Sequence, residues 1–134
     1  MPNTHLQDVR KTQIEHRSLM VSCVVPVHNE AECVTPFLTA LSNELQKITQ
    51  HFEIIVVDDG SKDASADCVT EFQKKQKEVK LLCFSRNFGK ETAIFAGLKH
   101  ATGDVTVIID ADFQHPVKYI HTFLEKWEIG RAHV

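Results

Sequence analysis

The sequence has no long apolar run and no excess of positive charge. None of its hydrophobic stretches approaches the roughly 20 residues that span a bilayer, and its first residues lack the apolar segment of a signal peptide. The net charge is −3, with Lys and Arg interspersed among Asp and Glu, so no basic surface is predicted. We therefore expect no nucleic-acid partner, and no transmembrane segment or signal peptide in this chain.

Motifs that define several other protein classes are also missing. The four cysteines include no C-x-x-C pair, and the eight histidines show no H-x-H or H-x-x-x-H spacing. This argues against a zinc site or a disulfide framework and favours reduced thiols in the cytosol. There is no G-x-x-x-x-G-K-[ST] loop, and Gly60 has no G-x-G-x-x-G neighbourhood. P-loop nucleotide hydrolases and dinucleotide-dependent dehydrogenases are therefore disfavoured.

The composition is that of one globular domain. The 134 residues are 43% hydrophobic and 25% charged. Residues 1–18 carry few apolar side chains in no clear period, so we expect a loose N-terminal extension. The folded domain is predicted over residues 19–128.

Apolar runs and helical periodicities alternate along this domain. Short runs rich in β-branched residues predict strands at 19–25, 53–57, 79–84 and 104–109. A helix is predicted after each strand. Asn29 is the expected N-cap of the first, Ser61 or Asp63 of the second, Gly103 ends the third, and Pro116 opens the last.

This order predicts an α/β fold with a mostly parallel sheet and helices on both faces. In such sheets ligands bind at the carboxyl ends of the strands. Polar residues are concentrated after three of the predicted strands, at 26–30, 58–61 and 110–116. Carboxylates gathered at one edge repel each other unless a cation or a donor-rich ligand joins them, so we expect a binding site there.

The last polar segment predicts a metal site. Asp110 and Asp112 are two residues apart on an extended segment, so their side chains leave the backbone on the same side, and Gln114 follows at the same spacing. Oxygen ligands of this kind suit Mg²⁺ or Mn²⁺. The alternative is that these acidic residues only cap the helix opening at Pro116.

The other strand ends offer groups for a nucleotide. Asp58 or Asp59 can accept the ring N–H of a uracil or guanine, or ribose hydroxyls, and either can instead shape an Asx turn. Arg86 and Lys90 can offset the charge of a diphosphate, and Gly89 permits close backbone approach. The alternative is that both cations are simply solvated near a helix start.

Four linked motifs together resemble one family. They are VVPVHNE (24–30), VVDDGSKD (56–63), SRNFGKETAIFAGLKHATGD (85–104) and IDADFQHP (109–116). In order and spacing they resemble the family-two glycosyltransferases, particularly polyprenyl-phosphate glycosyltransferases of the dolichyl-phosphate mannose synthase and undecaprenyl-phosphate glucosyl- or aminoarabinose-transferase type.

The resemblance implies a GT-A fold, Rossmann-like in its nucleotide-sugar-binding half, and inverting, metal-dependent transfer from a UDP- or GDP-sugar to a polyprenyl phosphate. With the motifs, it predicts a nucleotide-sugar site made by Pro26, Val27, His28, Glu30, Asp58, Asp59, Arg86, Lys90, Asp110 and Ala111. Asp110, Asp112 and Gln114 are the expected metal ligands. Most members have Tyr at the position of His28, where an aromatic ring can stack.

The family's acceptor-side half has no counterpart in this sequence. We expect the catalytic base and the membrane contacts in that missing C-terminal part, and the intact parent at the cytoplasmic face of the membrane. A homo-oligomer is compatible with the sequence. Residues 129–134 (IGRAHV) match one reading frame of a sequencing adapter and are predicted to be a non-native scar.

Two alternatives follow. The chain alone can be a catalytically incompetent module that binds nucleoside diphosphate and metal. The other is a phosphoacceptor receiver-like domain, which is disfavoured because its acidic pair follows the first strand, whereas the acidic pairs here follow strands two and four.

Overall fold

The structure, a computed structural model, describes residues 19–111 together with residues 120, 122, 124 and 126. The predicted N-terminal extension, the suspected scar, and the predicted metal ligands Asp112 and Gln114 lie outside the described residues. Of the predicted last helix, the four residues described are helical. No helix in this described portion is long and apolar enough to cross a membrane.

Four strands and three helices alternate along the described chain. They are β1 (Met20–Val27), α1 (Val34–Ile48), β2 (His51–Asp58), α2 (Ser65–Gln73), β3 (Val79–Cys83), α3 (Lys90–His100) and β4 (Val105–Ile108). The strands form one sheet in the order β3-β2-β1-β4, and every neighbouring pair is parallel. The predicted α/β class is therefore confirmed.

Helices cover both faces of the sheet. On β1 and β2, alternate residues such as Val25 and Ile54 join the larger core with α1 and α2. The residues between them face α3, where Ile55 and Val57 pack with Ala93. β1 and β2 are buried on both sides because they are the two central strands, which explains their nearly continuous apolar sequence.

The start of α1 differs from the prediction. The helix begins at Val34, and the preceding Cys33 makes no side-chain capping hydrogen bond. A turn precedes the helix because the Glu30 carbonyl accepts the N–H groups of Cys33 and Val34, at 3.0 and 2.9 Å. Asn29 adopts a left-handed backbone with φ of 53°, and its Oδ1 accepts the Lys62 N–H at 2.8 Å. Asn29 therefore joins two loops and is not a helix cap.

Ser61 and Asp63, the two predicted N-caps of the second helix, contact different parts of the chain. Asp63 Oδ1 accepts the N–H of Ser65, the first residue of α2, at 2.9 Å. The Ser61 hydroxyl instead donates to Asp58. Asp63 therefore satisfies a donor at the start of α2, whereas Ser61 belongs to the loop at the end of β2.

Gly103 is not the C-terminal cap of α3. The helix ends at His100, and the backbone of Gly103 is not left-handed. A Cβ at this position would lie 2.6 Å from Ser22 Oγ and 2.8 Å from the Met20 carbonyl oxygen. Glycine is needed here because the chain passes directly against β1 as it enters β4.

Candidate functional site

The three strands that carry polar ends are neighbours in the sheet. β1 lies between β2 and β4, so the segments after these strands meet at one edge. Backbone hydrogen bonds continue the pairing there: the Asp59 N–H donates to the Val27 carbonyl at 2.8 Å, and the Ile109 N–H donates to the Val24 carbonyl at 3.0 Å. The expected convergence of strand ends is therefore present among the described residues.

A surface pocket of about 150 Å³ opens at this edge. Seven of the predicted site residues line it: Pro26, Val27, His28, Glu30, Asp59, Lys90 and Asp110. Pockets for whole small ligands usually measure roughly 300–1,000 Å³. The described pocket is therefore smaller than a typical site for a whole small ligand.

Asp59 shapes one wall of the pocket. Its side chain is buried, and its two oxygens accept the N–H groups of Phe88 and Gly89 at 2.8 and 3.1 Å. Gly89 has φ of 104°, a backbone conformation that side chains disfavour. Asp59 thus fixes the loop that leads into α3, and Gly89 serves the bend of that loop.

Asp58 has different contacts. It is buried, does not line the pocket, and accepts a hydrogen bond from the Ser61 hydroxyl. The oxygen of Ser61 accepts the Asn29 N–H at 2.8 Å, which links the loop after β2 to the loop after β1. Of the two carboxylates, Asp59 is therefore the one at the pocket surface.

His28 bridges the loops that follow β1, β2 and β3. Its Nδ1 lies 2.8 Å from the Asp59 carbonyl oxygen, which can only accept, so Nδ1 carries a proton. In the neutral ring Nε2 is then an acceptor, and the Asn87 amide nitrogen lies 3.1 Å from it. Asn87 was not among the predicted site residues, and its place in the N-F-G-K segment before α3 was the available signal.

Lys90 and Asp110 form an ion pair at the lining of the pocket. The Lys90 ammonium nitrogen lies 2.8 Å from each oxygen of the Asp110 carboxylate. Lys90 is the first residue of α3, and Asp110 follows β4. The structure therefore brings together a predicted diphosphate-binding cation and a predicted metal ligand.

Besides Asp58, two more predicted nucleotide-sugar-binding residues lie away from the pocket lining. The Arg86 guanidinium is 4.5 Å from the centre of the Phe88 ring, in a cation–π arrangement. Ala111 is fully buried in the larger core. Their predicted contacts with a nucleotide sugar remain predictions.

The chain matches Glycosyl transferase family 2 over residues 22–134. It belongs to this family. The match covers most of the chain: β1 from its third residue onward, and β2, β3 and β4 in full. The described pocket therefore lies within the matched region.

Its relatives include proteins named bactoprenol glucosyl transferases. The chain is 41% identical over 112 residues to a prophage bactoprenol glucosyl transferase homolog of Escherichia coli, covering 84% of this chain and 37% of the relative. It is 42% identical over 113 residues to the bactoprenol glucosyl transferase of Shigella phage SfV, covering 84% and 36%. The chain thus spans little more than a third of the length of these relatives.

Solved structures support the GT-A fold of this family-two chain. A mannosyltransferase from Pyrobaculum calidifontis, in complex with GDP-Man and Mn²⁺, matches with a TM-score of 0.69 and 25% identity, covering 92% of this chain and 39% of that one. The S. aureus TarS 1–349 structure with UDP-GlcNAc matches with a TM-score of 0.58 and 27% identity, covering 70% and 27%.

Asp110 is the one predicted metal ligand of this family-two protein that lies within the described residues. Its carboxylate lines the pocket and already holds a cationic group, so its chemistry fits a divalent cation. Within residues 19–111 and the four described residues beyond, no three His, Cys, Asp or Glu side chains group to hold a metal. The other two predicted ligands, Asp112 and Gln114, lie outside this portion.

Proposed function

We propose that the protein is a glycosyltransferase that moves a sugar from a UDP- or GDP-sugar to a polyprenyl phosphate. The observation that carries this proposal is the pocket at the adjoining ends of β1, β2 and β4, where His28, Asp59, Lys90 and Asp110 come together. This pocket lies in a family-two chain that is 41% identical to a bactoprenol glucosyl transferase homolog.

The pocket residues suit the two ends of a nucleoside diphosphate. The Asp59 carboxylate oxygens each accept one loop N–H and keep a further lone pair that can accept a hydrogen bond from a base or a ribose. The His28 ring lines the same pocket. Lys90 supplies a positive charge for the diphosphate. We infer that the nucleotide lies across the strand ends, with its base towards β2 and its diphosphate towards the start of α3.

We propose that Asp110, Asp112 and Gln114 hold Mg²⁺ or Mn²⁺. When bound, the cation supplies Lewis-acid stabilisation of the negative charge that develops on the leaving nucleoside diphosphate. Lys90 contributes to the same stabilisation from the protein side, because its ammonium lies at the pocket next to Asp110.

The acceptor is proposed from the chemistry that the relatives' names describe. An oxygen of the polyprenyl phosphate attacks the anomeric carbon, the new bond forms as the bond to the nucleoside diphosphate breaks, and the configuration inverts. Because a polyprenyl chain is held in a bilayer, we place the reaction of the whole protein at the membrane, on the cytoplasmic face where nucleotide sugars are available.

The proposal is tested by transfer of labelled sugar. The full-length protein, with Mn²⁺ and a polyprenyl phosphate, is incubated separately with UDP- and GDP-linked sugars, and label in the lipid phase is counted. We expect transfer from one nucleotide class. If the protein neither binds nor turns over any of these donors, the proposal is wrong.

Asp112→Ala gives the sharper version of this test. Loss of a ligand is expected to weaken Mn²⁺-dependent donor binding by roughly 100-fold, measured by calorimetry. The matched control is Asp67→Ala, which removes an exposed carboxylate from α2 and should leave donor binding unchanged. Equal affinity of the Asp112→Ala variant and the wild type would contradict the metal assignment.

A further inference from the structure

The contact between Lys90 and Asp110 joins two groups that are predicted to bind opposite charges. One ammonium nitrogen lies 2.8 Å from both oxygens of one carboxylate, so the lysine contacts both of the oxygens that Asp110 could offer to a divalent cation. Both residues line the pocket. The lysine and a metal ion are therefore competitors for the same carboxylate.

The pair is exposed enough to exchange. The side chain of Lys90 is 60% exposed and that of Asp110 is 31% exposed. Ion pairs in contact with solvent are weak, so a divalent cation with further oxygen ligands can replace the ammonium. Asp110 can therefore change partners without disruption of the core.

The lysine can move while its helix stays in place. The first turn of α3 is held by the Gly89 N–H bonded to Asp59 at 3.1 Å and by the Ala93 N–H bonded to the Gly89 carbonyl at 3.1 Å. The Lys90 ammonium stands on a flexible four-carbon stem at this fixed point. Its charge can therefore swing from Asp110 to a nearby anion.

We propose that Lys90 is an exchangeable counter-cation of the donor site. It neutralises Asp110 until a divalent cation takes its place on the carboxylate, and it then pairs with the diphosphate that arrives with the cation. This inference rests on the proposed donor-binding function. It adds that Lys90 opposes the binding of the metal ion alone and favours the binding of the nucleotide.

The charges at the pocket favour such an exchange. Glu30, Asp59 and Asp110 are three carboxylates at its lining, and Lys90 is the lysine among the same lining residues. A diphosphate adds further negative charge, which one lysine held by Asp110 cannot offset. Replacement of the ammonium by a divalent cation at Asp110 provides two positive charges there and makes the lysine available to the diphosphate.

The exchange predicts effects of opposite sign in a Lys90→Met variant. Mn²⁺ binding without nucleotide, followed by the electron paramagnetic resonance of free Mn²⁺, is expected to become about two- to fivefold tighter, since the competing charge is gone. Binding of UDP or GDP at saturating Mn²⁺, measured by calorimetry, is expected to become roughly tenfold weaker. Lys90→Arg, which keeps the charge, should stay close to the wild type in both assays.

Lys99→Met is the matched control. It removes one positive charge from the last turn of the same helix, where Lys99 lies over the Phe95 ring. The change in net charge is identical, so general attraction of Mn²⁺ to a more negative protein would appear in this variant too. We expect neither affinity to change. Circular dichroism checks folding, and Lys90→Gln replaces Lys90→Met if the latter does not fold.

An Mn²⁺ affinity that is unchanged or weaker in Lys90→Met than in the wild type would overturn the exchange. Mn²⁺ binding that is undetectable in both proteins would overturn it too. A gain that Lys99→Met reproduces would overturn it as well, because net charge would then explain the result. Failure of the proposed function can be told apart from failure of the exchange. In the first case the wild type would bind neither UDP nor GDP, and the Mn²⁺ affinities of the wild type and Lys90→Met could still be compared.

Discussion

The carboxylate of Asp59 organises the pocket by accepting two backbone N–H groups of the loop before α3. A single side chain can do this because its two oxygens face two successive amides. The same residue's carbonyl oxygen fixes the protonated nitrogen of His28. At the residue scale, the shape of the pocket thus depends on Asp59, which holds the loop before α3 in place.

Asp59→Asn tests this dependence. The amide keeps one acceptor oxygen and directs an NH₂ group at the other backbone N–H, so one partly buried donor loses its partner. We expect the free energy of unfolding to fall by about 1–3 kcal/mol, measured by urea denaturation. Asp67→Asn, on the exposed side of α2, should change it by only a few tenths of a kcal/mol. Equal stability of the two variants would contradict the role of Asp59.

At the scale of elements, the fit of α3 against the sheet depends on a missing side chain. A Cβ at Gly97 would lie 2.4 Å from one methyl carbon of Val24, in the middle of β1. The buried face of α3 consists of Ala93 and Gly97, while Phe95 and Leu98 of the same helix are exposed. Small residues at these two positions let the helix lie close to the central strands.

Two opposing effects decide the outcome of Gly97→Ala. Alanine favours a helix interior over glycine by about 1 kcal/mol, whereas overpacking of a core costs about 1–3 kcal/mol. The clash is with the side chain of a central strand, so we expect a net loss of about 1 kcal/mol in the free energy of unfolding. Thr92→Ala, at an exposed position of α3, should instead be neutral or slightly stabilising. Stabilisation by Gly97→Ala would show that α3 can shift away from β1.

At the scale of the whole molecule, Glu53 connects segments that are far apart in the sequence. Its buried carboxylate on β2 accepts hydrogen bonds from Ser22 on β1 at 2.6 Å and from Lys80 on β3 at 2.6 Å. It also accepts the Thr102 N–H at 2.7 Å, in the connection between α3 and β4. Burial alone raises the pKa of Glu53, but these hydrogen bonds outweigh it and lower the pKa to about 2.

This pKa sets a direction for the pH dependence of stability. Because the pKa of Glu53 is about 2 in the folded protein and 4.5 ordinarily, its contribution is complete above about pH 4.5 and is lost as the pH falls towards 2. The contribution is up to about 3 kcal/mol. In Glu53→Gln, we expect lower stability at pH 7 and a shallower loss between pH 4.5 and 2, measured by chemical denaturation across that range.

Glu71→Gln is the control for this pH dependence. Glu71 also has a lowered pKa, from its hydrogen bond with Lys74, but both side chains are exposed on the surface. Its loss should leave most of the acid dependence in place. If Glu71→Gln flattened the profile as much as Glu53→Gln, the network around Glu53 would not be the main source.

The alternation of strands and helices could be predicted from the sequence because it rests on local periodicity. Apolar runs with β-branched residues and amphipathic spacing act among neighbours in the chain, and all four predicted strands are present. The convergence of the polar segments followed from the parallel sheet, and Asp59 and Asp110 do line one pocket. The family motifs carried the same information about the site.

Only the tertiary structure decided what each polar residue contacts. Asp59 accepts hydrogen bonds from amides about 30 positions later in the chain, and the side-chain oxygen Oδ1 of Asn29 accepts the Lys62 N–H across two loops. Position 103 requires glycine because β1 passes directly beside it, and no local turn preference indicates that contact. The sequence determined the order of the elements and the edge where the polar segments meet, because those follow from short-range patterns and from the parallel sheet. The division of roles among the side chains depended on distant partners that only the folded chain brings into contact.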